Sequence, residues 1–164
     1  MQKSIERLLI ALALLLTVGL ADLFSGFSDT LSNNLNLWRL ERSFAAIRHP
    51  PATEPIRSEG RVGLLSGNGN HCDYFVGELR AFQGAFSALS DAYSGARVFD
   101  PVAGRAMPLE VSEVNGDEIS AAAVPIDLES VSAWTWGGRT PSGSRLYLVS
   151  YFANYEANGD WSCH

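Results

Sequence analysis

The chain has 164 residues, a net charge of −6 and a pI near 5.0, with 46% apolar and only 18% charged residues. That length accommodates one ordinary domain, and so apolar a composition excludes a disordered chain. The acidic balance excludes a nucleic-acid binder working through a basic face. Lysine is nearly absent, Lys3 being the only one beside eleven arginines, which reflects base composition rather than function.

Apolar residues concentrate at the start. Residues 8–21 carry no charge; Asp22 interrupts, and Leu23-Phe24-Ser25-Gly26-Phe27 extends the stretch to residue 27. At ~1.5 Å per helical residue, 8–27 matches a hydrocarbon layer of about 30 Å. Asp22 lies close enough to one end for its carboxylate to reach the headgroups, whereas at mid-bilayer it would be costly. Lys3 and Arg7 precede the segment against Glu6 alone, so the positive-inside tendency sets 1–7 as a cytoplasmic tail and sends the remainder outward. The same residues fit a signal peptide, with a basic start, an apolar middle and Gly19-Leu20-Ala21 as a small-residue cleavage site. Anchor and cleaved signal both export residues 30–164. The anchor reading gives a single-pass inner-membrane protein with its carboxyl-terminal domain in the periplasm or an equivalent extracytoplasmic space.

Residues 28–48 open with Ser28-Asp29-Thr30, all suited to a helix amino terminus. Leu37, Leu40, Phe44 and Ile47 recur at helical spacing, Leu31, Leu35 and Trp38 form an adjoining stripe, and Arg39, Glu41, Arg42 and Arg48 take the other side. This predicts an amphipathic juxtamembrane helix. Its apolar side has three possible destinations: the domain core, the headgroup layer with Trp38 as an interfacial ring, or a partner's membrane helices. His49-Pro50-Pro51 cannot continue a helix. The 49–60 stretch therefore reads as a stiff extended stalk, with His49 a solvated linker residue rather than a ligand.

From residue 61 to 164 the signals turn to strands, short helices and turns, predicting an exported α+β domain with a small antiparallel sheet and one or two helices. Val62 to Leu65 is a short apolar run. Tyr74-Phe75-Val76 favours a strand reaching about Arg80, although Phe75, Leu79, Phe82, Phe86 and Leu89 also share a helical face. A helix or turn over 82–93 ends at Gly95. Asn115-Gly116 and Asn158-Gly159 each sit between strand-like runs and predict two hairpins, the second returning through Trp161-Ser162-Cys163.

Cys72 and Cys163 carry the clearest chemistry. Two thiols in one small exported domain usually pair, and this bond would close a loop of about 90 residues, worth on the order of 4 kcal/mol. His71-Cys72 and Cys163-His164 also invite a metal, but directly adjacent ligands on a strand point apart, and zinc sites use wider spacings; no metal and no cofactor is expected. A Cys72 nucleophile with a histidine base and Asp73 or Glu78 to orient it would need a reduced thiol in an oxidising compartment.

Two further stretches are candidates for contact. Gly67-Asn68-Gly69-Asn70-His71 can present several amides, and Asn68, Asn70, His71 and Asp73 would make the polar contacts of any ligand there. It matches neither the phosphate loop nor the dinucleotide fingerprint, and a tight connection into a strand is the preferred explanation of it. Trp134-Thr135-Trp136-Gly137-Gly138-Arg139 reads as a lid on the core or a contact surface, with Trp134, Trp136 and Arg139 joining Trp38 as partner-contact candidates. No G-x-S-x-G, H-E-x-x-H or calcium-loop pattern occurs.

The expected function is a non-catalytic accessory or scaffold subunit of a larger membrane assembly, touching lipid and other membrane subunits and no nucleic acid. A free exported ligand-binding module using the 67–71 loop is the alternative, and a cysteine-dependent hydrolase the third reading.

Overall fold

A computed structural model describes residues 2–67, 69–114 and 143–163. One helix, α1, runs unbroken from Gln2 to Ala45. Its 44 residues span about 66 Å at 1.5 Å per residue. The expected membrane segment and juxtamembrane helix are therefore one rod, because nothing between Phe27 and Ser28 breaks the backbone: Ser28 to Thr30 continue the helix instead of capping a new one. The helix ends where expected. Ile47 N–H donates to the Phe44 carbonyl in a tightened last turn, and Pro50 and Pro51 follow.

The remainder is mixed α+β. Strands β1 (Thr53–Gly63), β2 (His71–Phe82), β5 (Glu110–Val114) and β6 (Arg145–Glu156) form an antiparallel sheet in the order β1-β2-β6-β5. The helix α2 spans Phe86–Tyr93, and a separate two-stranded ribbon pairs β3 (Arg97–Asp100) with β4 (Arg105–Pro108). Most of the 49–60 stretch is sheet rather than stalk. Thr53 to Gly60 lie in β1, and Pro55 is tolerated because β1 is an edge strand with a bulge between Pro55 and Arg57. Of that stretch only His49 to Ala52 lie between helix and sheet, closed by the Thr53 hydroxyl donating to the Pro50 carbonyl at 2.7 Å.

The strand predicted to reach about Arg80 forms and runs two residues further, to Phe82, and the helix Phe86–Tyr93 falls within the predicted 82–93. Both faces of the β2–β6 pair are apolar. On one face Cys72, Tyr74, Val76, Phe82, Tyr147, Val149 and Tyr151 pack under α1 and α2; the other buries Phe75, Leu79, Ala81, Leu146 and Leu148. Burial on both faces removes the polar alternation of a half-exposed strand, which is why Tyr74-Phe75-Val76 are contiguous. Residues 115–142 lie outside the described residues, and with them the hairpin expected at Asn115-Gly116. The second expected hairpin is replaced by another device. Trp161 to Cys163 form a single 3-10 turn, not a strand, because the Asn158 side chain accepts the Asp160 N–H and Asp160 in turn accepts the Ser162 N–H. These local bonds curl the chain before it can pair.

The two stripes of α1 part company. Leu40 and Phe44 are fully buried in the core with Leu37 and Ile47 against them. Leu31, Leu35 and Trp38 remain 60%, 44% and 49% exposed on the side away from the domain. Nearer the amino terminus, Ile10, Leu12, Leu15, Val18 and Leu20 are all exposed. A core helix of a water-soluble fold would bury such residues. Length and composition make α1 capable of crossing a membrane.

Candidate functional site

The domain is fastened to α1 where the sheet meets the carboxyl-terminal turn. Cys72, second residue of β2, is disulfide-bonded to Cys163, 91 positions away in sequence, with Cα atoms 4.7 Å apart. Both are buried. The cysteines pair as the sequence predicts, but Cys163 lies in a 3-10 turn rather than in a last strand.

Asn33, on α1, sits over the disulfide and is buried despite being an amide. Its Nδ2 donates to Asp160 Oδ2 at 2.8 Å and lies 3.2 Å from Cys72 Sγ. Its Oδ1 accepts the Tyr74 hydroxyl at 2.8 Å and Asn158 Nδ2 at 3.0 Å. One turn earlier the Thr30 hydroxyl donates to Asp160 Oδ1, and Asp29 Oδ2 accepts the Gly159 N–H. The helix, the first residues of β2 and the chain from 158 to 163 thus share one polar network, buried at Asn33, Tyr74 and Asp160 and reaching solvent at Asn158 and Gly159. Asp160 is almost wholly buried. Burial by itself would push its carboxyl up, but the Ser162 N–H, the Asn33 amide and the Ser162 and Thr30 hydroxyls outweigh it and hold the group below its ordinary value. Buried polar groups satisfied this completely fix one arrangement of the elements that carry them.

Cys72, Asp160 and Cys163 bring their donor atoms within 4.8 Å of one another. With the sulfurs joined, the trio is a disulfide beside a carboxylate and offers a metal no thiolate pair. The oxidised Cys72 likewise presents no thiolate to attack a substrate.

Of the 67–71 loop, the described residues 67 and 69–71 stand at the same end of the sheet. Asp73 is fully buried, and its Oδ2 accepts the Leu65 and Ser66 N–H groups and the Ser66 hydroxyl, while Oδ1 accepts Asn154 Nδ2. His71 Nε2 lies 2.8 Å from the Ser66 carbonyl and 3.2 Å from Asp73 Oδ2. The Asn70 carbonyl accepts the Ala157 N–H. His71 and Asp73 thus hold the loop's shape, and the geometry turns them toward the protein. Asn68, Trp134, Trp136 and Arg139 lie outside the described residues. Trp38 is exposed with the Arg42 guanidinium 4.9 Å above its ring.

Two networks escaped the sequence reading. His49, expected in solvent, pairs its Nδ1 with the Tyr93 hydroxyl at 2.8 Å, and Tyr93 meets the Tyr147 hydroxyl at 2.9 Å. Burial, with the Arg80 charge adding to it against a smaller opposing effect of Glu78, holds the His49 imidazole below its ordinary value. Asp100 accepts the hydroxyls of Tyr151 and Tyr155 and the N–H groups of Val102 and Ala103. Burial pushes its carboxyl up, and these four donors more than reverse the shift. Tyr155 is pushed up to about 12 by burial and the Asp100 carboxylate, and Tyr151 higher still. Asp100-Pro101 opening a turn that closes at Gly104 was the available signal, since aspartate at such a position bonds the backbone two and three residues on.

Comparisons with protein-family models, with curated proteins and with solved structures each find no match.

Proposed function

We propose that the protein is a non-catalytic accessory subunit of a larger membrane assembly, held in the inner membrane by α1 with its amino terminus cytoplasmic and its α+β domain in the periplasm. The observation that carries this reading is the exposed stripe Phe24, Phe27, Leu31, Leu35 and Trp38, which runs along α1 from the apolar segment onto the part of the helix that packs on the domain. Steps of three and four residues keep these side chains on one helical face. Asn33, Leu40 and Phe44 hold the opposite side against the domain, so the stripe stays directed outward. Its occupant is a partner's membrane helix that also projects beyond the bilayer, because only a rod of that kind follows the stripe from lipid into water. The disulfide fits an oxidising compartment, and Lys3 and Arg7 fit a cytoplasmic amino terminus. Affinity, orientation and rigidity come from this design, and none of the three calls for a reactive group.

Photo-crosslinking tests it. Probes at Leu31, Leu35 and Trp38 in the native membrane should join the chain to one membrane protein, and a probe at the exposed Ser87 on α2 should not. Leu35→Glu should abolish the adduct and release the protein as a monomer in mild detergent. Adducts to a second copy of this chain would replace the subunit reading with a homodimer. A lone monomer without adducts would end it.

A further inference from the structure

The carboxyl-terminal turn ends in an exposed tryptophan at one particular height on α1. Trp161 is 70% exposed, although it is flanked by fully buried Asp160 and by Ser162 and Cys163, which hold the turn. Its ring lies against Gly26: a Cβ added there would meet Trp161 Nε1 at 3.2 Å and the Gly159 carbonyl at 3.2 Å. Gly26 is the next-to-last residue of the apolar 8–27 stretch, and Phe24 and Phe27 are exposed on the same turns of the helix. Glycine at 26 is what allows the turn to approach this closely.

The height cannot drift. Cys163 is bonded to β2, the Ser162 carbonyl accepts the Leu64 N–H, and Gly159 and Asp160 are tied to Asp29, Thr30 and Asn33 of α1. A large exposed indole would otherwise be an unusual use of a fixed, rigid turn. Tryptophan is enriched where hydrocarbon meets headgroups, since its ring is apolar and its N–H donates.

We propose that Trp161 is a second membrane contact, its ring lying in the headgroup layer beside the end of the α1 span and seating the domain directly on the lipid surface. This rests on α1 being retained as an anchor. The domain then rests on the bilayer with its 157–163 turn and the neighbouring residues 64–67 and 69–71 facing the headgroups, and the β1 start, β2 end and β6 start lie at the far side.

The test uses the full chain in vesicles of phosphatidylethanolamine and phosphatidylglycerol, with Trp38, Trp134 and Trp136 changed to phenylalanine so that only Trp161 emits. Alkaline extraction first reports whether α1 is inserted. Retention in the membrane, emission to the blue of indole in water, iodide quenching at least ~2-fold weaker than in the denatured chain, and stronger quenching by a shallow than by a deep lipid nitroxide are expected for an interfacial ring. Release by alkali would overturn both the anchor and this contact. Retention with unchanged iodide quenching would overturn the contact alone, and protection from iodide without nitroxide quenching would mean that protein, not lipid, covers the ring. Should the triple variant fail to fold, the difference between the wild-type chain and Trp161→Phe supplies the same readings.

Discussion

Replacing Asn33 by alanine removes both ends of the amide that joins α1 to the turn. Asp160 loses a 2.8 Å donor while keeping Ser162 and Thr30; Tyr74 and Asn158 lose their acceptor. A buried polar group deprived of its partner costs about 1–3 kcal/mol, more when charged. Asp160's remaining donors, and the nearness of Asn36 to the Tyr74 hydroxyl, put each loss toward the lower end. Alanine also returns about 0.5 kcal/mol of helix propensity. Asn158 is exposed and loses little, so the two buried losses give a net expected destabilisation of about 1–2 kcal/mol. Urea denaturation of the full chain in detergent, followed by tyrosine emission, measures it. Asn34→Ala is the control, because Asn34 is exposed and its amide bonds only back to the Thr30 carbonyl; it should shift stability by no more than about 0.5 kcal/mol. If the two variants are equally stable, the network does not join helix and domain.

Removing the disulfide as Cys72→Ala with Cys163→Ala should cost about 4–5 kcal/mol, from the chain entropy of a loop whose ends are 91 positions apart; the same denaturation reads it. Phe44→Ala should cost about 3–5 kcal/mol, because the ring is buried in the core, whereas Leu31→Ala should leave folding within about 0.5 kcal/mol while weakening the cross-link. The folded state lowers the pKa of Asp100 and Asp160, so the unfolded chain binds protons first as pH falls. Their stabilisation is complete above about pH 4 and is lost as pH drops through the lowered folded values; Asp160→Asn should flatten that acid limb of the urea midpoint. His49, also lowered, adds a separate loss beginning below about pH 6.5, which His49→Gln should remove.

The legible parts of the sequence were those governed by local period and covalent chemistry. The apolar run, the proline stop after Ile47, the 71–82 strand and the cysteine pair all follow from patterns within a few residues, or from there being only two thiols. The stalk was misread because proline carries two meanings. Pro50 and Pro51 end a helix, yet Pro55 sits in an edge strand whose existence depends on β2 lying beside it. Asn158-Gly159 resembled a hairpin because a short sequence window shows the turn residue and not Asn33, 125 positions away, whose amide engages it. His49 reads as a solvated linker residue, and Asp100 goes unmarked, for the same reason: each is defined by tyrosines that approach only when the sheet and α2 assemble. Leu31, Leu35 and Trp38 were visible as a stripe, but their exposure depends on Asn33, Leu40 and Phe44 having taken the domain side.

The uninterrupted backbone from Gln2 to Ala45 makes the chain a lever. Eighteen residues of α1 lie beyond Phe27, an arm of about 27 Å. With the span seated as proposed, tilting it by about 20° within the bilayer displaces the tip of that arm sideways by roughly 9 Å. The domain, bolted on by Asn33, Leu40 and Phe44, is carried through the same angle. Bilayer thickness, which governs how far a long apolar helix leans, would then be converted into the position of a periplasmic surface.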